Sequence, residues 1–374
     1  MASIDLQHLL TPCLLLDIDR VRLNAKQMSQ KAFQLGVRLR PHIKTHKCIE
    51  VAKIQTAGHN GAITVSTLAE ARAFAKHGFS DITYAVPIER GKFNDAIEIL
   101  KGGVRLNLLT DDDVTVKDLN EASEKAGIKF DVFLKIDCGT HRVGVEPHTA
   151  EAVEIPRQLQ DAKALNFAGI LTHAGHSYDV KTKSEILEVA RHERDVMVEI
   201  AERLKADGIA VPTVSIGSTP TMSTVDHLNG IDEIRPGNYI FFDNFQATLG
   251  SCEFSDTALT VLAAVVHKDK ARNRLVVDAG AIALSKDRGP VGLDPSCGYG
   301  RVLDVDGNET GMRVTGLSQE HGEIDAGNAF DRFKVGDRVR ILANHSCLTA
   351  AQHTHYNVIE NGEIVDRWEI HRGW

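Results

Sequence analysis

The segment LRPHIKTHK places three cationic side chains and two histidines within nine residues. Arg40, Lys44 and Lys47 are charged at neutral pH, and His42 and His46 lie between them. This combination suits three kinds of site: a nucleic-acid patch, a phosphate site, or a reactive lysine that neighbouring cations keep partly neutral. The other polar segments of the chain decide between these interpretations.

A glycine-containing segment, GSTPT, has the composition of a phosphate-binding loop. Gly217 permits close approach to the backbone, where exposed N–H groups and the hydroxyls of Ser218 and Thr219 can bind a phosphate. The alternative is structural, with Thr219 capping a helix that has Pro220 at its first position. The segment alone leaves both interpretations open.

Two further segments contain arginines that can bind an anionic group. RPGNY (235–239) again combines a glycine with polar residues, but it can be only a turn with Arg235 in a salt bridge. In DCGTHRVG (137–144), Arg142 can contact an anionic oxygen or a carboxylate, or it can pair with Asp137. Each arginine therefore has a binding interpretation and a structural one.

Three segments contain histidines in combinations that can serve catalysis or metal binding. HAGHSYD carries His173, His176 and Tyr178, although isolated histidines are more often ordinary hydrogen-bonded residues. In NHSC, His345 and Cys347 face the same side if the segment is a strand, and together they suit zinc. The alternative is a buried core pair, and SQEHGEI offers either further ligands or a solvated loop.

The elements that must position these residues are eight strand-like runs that alternate with amphipathic helices. The runs are 37–44, 61–67, 82–88, 105–110, 130–137, 167–173, 213–217 and 233–242. Because parallel strands need helical crossovers, the alternation predicts an α/β fold with a (β/α)8 barrel of the TIM type. A doubly wound open sheet is the structural alternative, but no GxGxxG follows the first run.

The polar segments fall where these predicted strands end. Lys44 ends the first run, the segments that begin at Asp137, His173 and Gly217 follow the fifth, sixth and seventh, and RPGNY lies within the eighth. Active sites of parallel barrels form at the carboxyl ends of the strands. The coincidence therefore predicts an active site at that end of the barrel.

A second domain, with an antiparallel sheet, is predicted after the barrel. Period-two stretches after residue 255 are separated by turn signals such as Asn361-Gly362. The strand-like run 13–20 precedes the barrel, and we expect it to pair into this second sheet. The predicted domains are 20–250 for the barrel, and 1–19 plus 251–374 for the β domain.

Composition excludes several classes of function. The chain has 374 residues and a formal net charge of -8, which argues against nucleic acid or an anionic membrane as a partner. The first residues show no secretory signal, and no apolar run approaches the roughly 18 residues of a membrane span. The six cysteines are widely scattered, so we expect a reducing, cytoplasmic location rather than a disulfide framework.

Taken in order, the motifs resemble those of the fold-type III pyridoxal-phosphate enzymes, a family with alanine racemase at its edge. The closer resemblance is to a branch that contains D-threonine aldolase, D-serine dehydratase and D-threo-3-hydroxyaspartate dehydratase. The matching segments cover nearly the whole chain: TPCLLLDIDRVRLN, RPHIKTHK, DCGTHRVGV, GHSY, GSTPT, EIRPGNYIFFD, DAGAIALSKD, SQEHG and NHSC. The pattern RPHxKTHK is specific, and the ordered set is more so.

The resemblance implies a role for each segment. Lys44 would form the Schiff base with pyridoxal phosphate, and His42 and Tyr178 would assist catalysis. Arg40, His42 and His46 would add positive charge. The implied cofactor-binding residues are Lys44, Arg142, His173, Tyr178, Gly217, Ser218, Thr219, Gly237, Asn238 and Tyr239, of which Ser218, Thr219, Gly237 and Asn238 would hold the phosphate. His345 and Cys347 would bind a divalent metal, either zinc or manganese or magnesium.

Cys347 favours the dehydratases within this branch, because the aldolases have an aspartate two residues after the histidine. We therefore expect a lyase that converts D-serine, D-threonine or D-threo-3-hydroxyaspartate into a 2-oxo acid and ammonia. The alternatives are aldol cleavage to glycine and an aldehyde, an amino-acid racemase, and a non-catalytic pyridoxal-phosphate homeostasis protein. The resemblance also implies a homodimer.

Overall fold

The computed structural model describes residues 6–374, which group into two compact units. The barrel unit comprises Gln27–Lys44, Gln55–Gly237 and Gly373–Trp374, and the sheet unit comprises 6–26, 45–54 and 238–372. These units differ from the predicted domains, since 20–26, 45–54 and 238–250 group with the sheet unit. Residues 1–5 of the predicted β domain lie outside the described residues.

Eight parallel strands form the barrel unit, which confirms the predicted (β/α)8 architecture. In chain order the barrel strands are Arg38–Leu39, Ile63–Val65, Asp81–Pro87, Arg105–Thr110, Phe130–Lys135, Leu165–Leu171, Val214–Ile216 and Glu233–Ile234. From the second to the eighth, each strand pairs with the next, and the eighth pairs with the first. A parallel bridge between His42 and Thr64 closes the ring between the first strand and the second.

Amphipathic helices alternate with the barrel strands, as the sequence predicts, and further helices lie in the sheet unit. Their bounds are Ile18–Gln34, Ile49–Thr56, Leu68–Lys76, Phe93–Lys101, Asp113–Ala126, Glu151–Asp161, Lys183–Ala206, Thr219–Thr224, Asn244–Leu249, Ala281–Leu284 and Ser346–Ala350. The longest begins at a capping box between Thr182 and Glu185, which satisfies backbone N–H groups at its start. Within residues 6–374, no helix is long and apolar enough to cross a membrane.

The sheet unit contains nine strands. They are Cys13–Asp17, Leu259–Asp269, Arg274–Val277, Gly300–Leu303, Glu309–Leu317, Gly322–Asp325, Arg338–Ala343, His355–Glu360 and Glu363–Glu369. As predicted, the strand near the N-terminus pairs into this sheet, antiparallel to Leu259–Asp269 and parallel to His355–Glu360. Asn361 and Gly362 both have positive φ values, 51° and 83°, as a tight two-residue hairpin turn requires.

Two barrel strands are much shorter than predicted, because proline interrupts their regular ladders, although Arg40 N and His42 N still donate to Ile234 O and Pro236 O. After Arg38–Leu39, Pro41 has no N–H to donate, and Ile43–Thr45 forms a 3-10 turn. After Glu233–Ile234, a Pro-Gly pair leads into the 3-10 turn Asn238–Ile240. The reactive-lysine segment and RPGNY therefore lie in loops that follow barrel strands, not within the strands.

Candidate active site

Lys44 lies in the 3-10 turn Ile43–Thr45 at the carboxyl end of the first barrel strand, and its side chain is exposed. The backbone N–H of Lys44 donates to His42 Nδ1 at 3.4 Å, and His42 Nε2 lies 3.4 Å from Ser66 Oγ. The imidazole of His42 therefore lies between the ends of the first and second barrel strands. In this position it supports the turn that carries Lys44.

The sequence interpretation assumed that Arg40 and His46 supply positive charge around Lys44. The structure does not support this role for either residue. The guanidinium of Arg40 is buried and forms ion pairs with Asp81 at 2.6 Å and Glu233 at 2.8 Å, which neutralise it. His46 is buried in the sheet unit, where its Nδ1 accepts a hydrogen bond of 3.0 Å from the backbone two residues later. Both side chains therefore stabilise the fold.

Four other cations act together at the carboxyl end of the barrel. Burial, followed by the charges of Lys44, Lys135, Arg142 and Arg235, lowers the pKa of His173 well below its ordinary value. The imidazole of His173 is therefore neutral at physiological pH. Because these cations come from distant parts of the sequence, it is the barrel that brings them together, and their joint field suits a phosphate-bearing ligand.

Lys135, the last residue of the fifth barrel strand, was missed by sequence reasoning. Its side chain is 5% exposed, and its Nζ donates to Ile136 O at 3.2 Å. Burial is the main cause that lowers the pKa of Lys135 to about 8. The available signal was a single lysine within the otherwise apolar run FDVFLKID, because a lysine is rarely buried without a reason.

Thr140 joins the loops that follow the fifth and sixth barrel strands. Its Oγ1 donates to His173 O at 2.9 Å and accepts from Gly175 N at 2.8 Å. Tyr178 ends the 3-10 turn Gly175–Tyr178 in the second of these loops. One hydroxyl therefore links the two loops that carry predicted site residues.

Asp137 organises its loop instead of pairing with Arg142. Its Oδ1 accepts hydrogen bonds of 2.9 to 3.1 Å from three successive backbone N–H groups, and Arg142 is exposed.

Within residues 6–374, Asp137, His141 and Glu146 are the one group of three possible metal ligands whose ligand atoms lie within 4.8 Å of one another. His141 Nδ1 lies 3.3 Å from both carboxylates, and these contacts account for the group, in which Asp137 is buried and the other two residues are exposed.

The segment GSTPT begins the short helix Thr219–Thr224, but the capping residue is Ser218 and not Thr219 as predicted. The Ser218 hydroxyl accepts from the backbone N–H of Thr221, whose own hydroxyl accepts from the Ser218 backbone. Pro220 lies in the first turn, where it needs no N–H partner. Capping and phosphate binding are therefore compatible interpretations of this segment.

Gly217 has a positive φ of 110°, a conformation that side chains with a Cβ rarely adopt. A Cβ there would come within 3.3 Å of both Arg235 N and Met222 Cγ. The sequence interpretation expected the N–H of Gly217 to be exposed to a ligand. Instead, this N–H donates to the carboxylate of Glu193 at 3.1 Å. Gly217 therefore contributes shape to the site and not a hydrogen-bond donor.

Gly237, Asn238 and Tyr239 follow the eighth barrel strand and are buried. In the sheet unit, Asn238 Nδ2 donates to Asp243 Oδ2 at 2.8 Å and to Ser346 Oγ at 3.1 Å, so its amide donors are already used. Asn238 Oδ1 is buried and accepts no hydrogen bond from residues 6–374. The side-chain donors of Asn238 therefore serve the protein itself, and its backbone N–H is the group that could serve a phosphate.

His345 and Cys347 do not lie on a strand, which corrects the prediction. His345 is the extended residue before the helix Ser346–Ala350, and Cys347 lies in the first turn of that helix. The helix starts here because Asp243 Oδ2 accepts hydrogen bonds from Ser346 N at 2.9 Å and Ser346 Oγ at 3.2 Å. The two side chains nevertheless interact, since Cys347 is among the groups that raise the pKa of His345.

Asp287 lies behind the imidazole of His345, with 2.7 Å between Asp287 Oδ2 and His345 Nδ1. Burial alone would lower the pKa of His345, but the hydrogen bonds with Asp287 and Cys347 raise it well above its ordinary value. A carboxylate on one ring nitrogen is the usual support for a ligating histidine, because it orients the ring and leaves Nε2 for the metal. Together with a thiolate from Cys347, this donor set fits zinc.

Two family models together match most of the chain. Residues 16–245 match the alanine racemase N-terminal domain, and residues 258–359 match a putative serine dehydratase domain. The chain therefore belongs to the family of proteins with an alanine racemase N-terminal domain. The resemblance inferred from the ordered motifs is thereby confirmed, and within the family both matched regions contain predicted site residues: Lys44 lies in the first and His345 in the second.

Relatives of known name in this family are similar over almost their whole length. A D-serine dehydratase from Dictyostelium discoideum is 39% identical over 99% of this chain and 98% of its own. A D-threo-3-hydroxyaspartate dehydratase from Delftia sp. (strain HT23) is 38% identical over 97% and 98%. The solved metal-free form of a cysteine-to-alanine variant of D-threo-3-hydroxyaspartate dehydratase superposes with a TM-score of 0.96, at 38% identity over 100% of both chains.

Proposed function

We propose that this protein is a pyridoxal-phosphate- and divalent-metal-dependent dehydratase that converts a D-3-hydroxy amino acid into a 2-oxo acid and ammonia. Membership of the family makes the chain a pyridoxal-phosphate-dependent lyase. The observation that carries dehydration in particular is the Asp287 carboxylate 2.7 Å from His345 Nδ1, with Cys347 acting on the same imidazole. D-serine, D-threonine and D-threo-3-hydroxyaspartate are the proposed substrates.

Residues in the loops after the barrel strands would hold the cofactor. The proposed set is Lys44, Arg142, His173, Tyr178, Gly217, Ser218, Thr219, Gly237, Asn238 and Tyr239. The joint field of the cations near His173 fits the anionic groups of pyridoxal phosphate, and the tight turn at Gly217 fits a phosphate loop. When bound, the cofactor supplies an electron sink for the pair left on Cα after proton removal.

Lys44 is the proposed base, and its Nζ would take the α-proton from one face of the substrate. Lys44, Lys135, Arg142 and Arg235 all act on His173, so Lys44 belongs to a group of positive charges at this end of the barrel. His42 would hold the turn that carries Lys44. Tyr178 would line the pocket from the loop after the sixth barrel strand.

His345 and Cys347 would hold the divalent metal, and zinc suits a thiolate and an imidazole better than the harder manganese or magnesium. When bound, it supplies a Lewis acid that makes the 3-hydroxyl a better leaving group. D-threo-3-hydroxyaspartate dehydratase has been solved as a histidine-to-alanine variant and as a metal-free cysteine-to-alanine variant. The two substituted positions are two residues apart, as His345 and Cys347 are, and this supports the assignment.

Aldol cleavage to glycine and an aldehyde is the second candidate. A D-threonine aldolase and a 3-hydroxy-D-aspartate aldolase are each 28% identical to the chain over 96% and 99% of its length. Their lower identity, together with Cys347, favours dehydration. Alanine racemase, at 17% identity, shares only the fold, and the serine dehydratase domain argues against a role limited to carrying the cofactor.

A cytoplasmic homodimer completes the proposal. All six cysteines are free thiols in residues 6–374, which accords with a reducing compartment. The dimer rests on the family resemblance alone. Size-exclusion chromatography with light scattering measures the mass of the assembly in solution and so tests the dimer.

A product assay tests the proposed reaction. The purified protein is supplied with pyridoxal phosphate and zinc and offered D-serine, D-threonine and D-threo-3-hydroxyaspartate in separate reactions. The 2-oxo acid, ammonia and glycine are then quantified in each. Equal amounts of 2-oxo acid and ammonia without glycine are expected from at least one substrate. Glycine as the main amino-acid product would contradict dehydration and support aldol cleavage.

A further inference from the structure

A buried carboxylate that the proposed chemistry does not use lies beside the segment GSTPT. Glu193 is in the middle of the helix Lys183–Ala206, and it is 0% exposed. Burial raises the pKa of this carboxyl group despite its hydrogen bonds. A carboxylate removed from water is unfavourable unless hydrogen bonds satisfy it, so the partners of Glu193 indicate what it does.

Both oxygens of Glu193 accept hydrogen bonds from loops that follow neighbouring barrel strands. Oε1 accepts from Ala174 N at 3.0 Å, after the sixth strand, and from Gly217 N at 3.1 Å, after the seventh. Oε2 accepts from Thr221 Oγ1 at 3.2 Å. One carboxylate thus fixes the separation between two loops that carry proposed cofactor-binding residues.

Three hydroxyl groups extend these bonds into a ring. Thr221 Oγ1 lies 3.0 Å from Ser218 Oγ, and Ser218 Oγ lies 2.9 Å from Ser177 Oγ. Ser177 Oγ then donates to Ala174 O at 2.7 Å, which returns the chain of bonds to a residue that Glu193 contacts. The two loops are therefore tied together at Glu193, and loss of this one side chain opens the ring.

The charge of Glu193 also stabilises two buried cations. It acts to raise the pKa of Lys135 and of Arg235, which burial lowers to about 8 and about 10. Both cations belong to the group that acts on His173. The carboxylate therefore helps to keep positive charge at the carboxyl end of the barrel.

We propose that Glu193 is a positioning residue that holds the loops after the sixth and seventh barrel strands in the geometry that binds the cofactor phosphate. The inference rests on the proposed function, because the phosphate is that of pyridoxal phosphate. Since the N–H of Gly217 is used by Glu193, the carboxylate acts through the backbone of the loop and does not touch the cofactor.

Comparison of two ligands tests the role of Glu193. Pyridoxal lacks the phosphate, so the ratio of its dissociation constant to that of pyridoxal phosphate isolates the contribution of the phosphate. Both constants are measured by fluorescence titration of the full-length protein after removal of its cofactor. In Glu193→Ala, affinity for pyridoxal phosphate should fall about tenfold or more, because buried N–H groups lose their acceptor, while affinity for pyridoxal is unchanged.

Two variants serve as controls. Glu193→Gln retains an oxygen for both backbone N–H groups and can donate to Thr221 Oγ1, so it should lose much less of the ratio than Glu193→Ala even though its side chain is uncharged. Glu188→Ala removes an exposed glutamate from the same helix and should keep the wild-type ratio.

Three results would overturn the inference: an unchanged ratio in Glu193→Ala, an equal loss of affinity for both ligands, or a Glu193→Gln variant as impaired as the alanine variant. If Glu193→Ala does not fold, Glu193→Asp replaces it, since a carboxylate one methylene shorter cannot reach both loops. An unchanged ratio in that variant also overturns the inference. Failure of the proposed function is distinguishable, because the wild-type protein would then bind pyridoxal phosphate no better than pyridoxal.

Discussion

Lys44 carries the central step of the proposed chemistry, and Lys47 lies three positions later in the same segment. We expect purified protein to be yellow, because a conjugated link between the cofactor and an amine absorbs visible light. Borohydride should then fix the cofactor on Nζ of Lys44, where peptide mapping by mass spectrometry locates it. Lys44→Ala should lose colour and turnover, whereas Lys47→Ala should retain both. A cofactor found on Lys47 would show that the assignment is wrong.

Asp287 provides a second test at the scale of single residues. Replacing it with alanine removes the acceptor that orients the imidazole of His345. Loss of such a support typically weakens metal affinity about 10- to 100-fold, and we expect that loss for zinc in calorimetric titrations of Asp287→Ala. Asp306→Ala, which removes an exposed aspartate of the sheet unit, is the control. Equal zinc affinity in the two variants would make Asp287 a purely structural residue.

The residues that sequence reasoning found and those it missed differ in where their partners lie. Lys44 and Cys347 belong to short motifs whose composition is itself informative. Glu193 and Asp287 have partners that are distant in the chain, 19 and 58 residues away at Ala174 and His345, so no local spacing connects them. Folding brings these pairs together, and their roles become visible only in three dimensions.

The loops and strands that carry these residues were predictable in order but not in length. Alternation of apolar runs with helical spacing gave all eight barrel strands, because each run has a local signature. The run 233–242 became a two-residue strand, Glu233–Ile234, since proline and glycine end the ladder. The strand expected around His345 and Cys347 is absent for a related reason: a side-chain acceptor, Asp243, starts a helix after the strand Arg338–Ala343.

Gly217 provides the test at the scale of the loop. In Gly217→Ala, a Cβ would meet backbone and side-chain atoms at 3.3 Å while φ stays near 110°, and both effects are unfavourable. We expect the free energy of unfolding, measured by urea denaturation, to fall by roughly 1–3 kcal/mol or more. Gly208→Ala is the control, because Gly208 has a positive φ of 77° but nothing within 4 Å of its Cβ position. Equal losses in the two variants would mean that close approach at Gly217 is unimportant.

The whole chain was predictable as a barrel followed by a β domain, since the change from alternating strands and helices to period-two strands is visible in the sequence. The grouping of residues 45–54 and 238–250 with the sheet unit was not predictable. Local patterns assign a segment to a helix or strand, whereas its unit depends on contacts with residues far away in the chain. Net charge and the scattered cysteines restricted the classes of partner but did not identify a substrate.

Stereochemistry tests the active protein as a whole. A single base, Lys44, on one face of the cofactor should remove the α-proton of only one enantiomer. We expect oxo-acid formation from D-serine and none from L-serine under the same conditions, measured by a coupled dehydrogenase assay. Comparable rates with the two enantiomers would require a second base on the opposite face and would favour a racemase.

Metal removal during turnover of D-serine tests the central claim, that His345 and Cys347 hold a metal needed for loss of the 3-hydroxyl. Protein treated exhaustively with a chelator, and shown by elemental analysis to contain no divalent metal, is assayed for pyruvate while its visible spectrum is recorded. The expected result is that pyruvate formation stops, that the cofactor spectrum in the absence of substrate is retained, and that added zinc restores turnover. Full activity in the metal-free protein would contradict it.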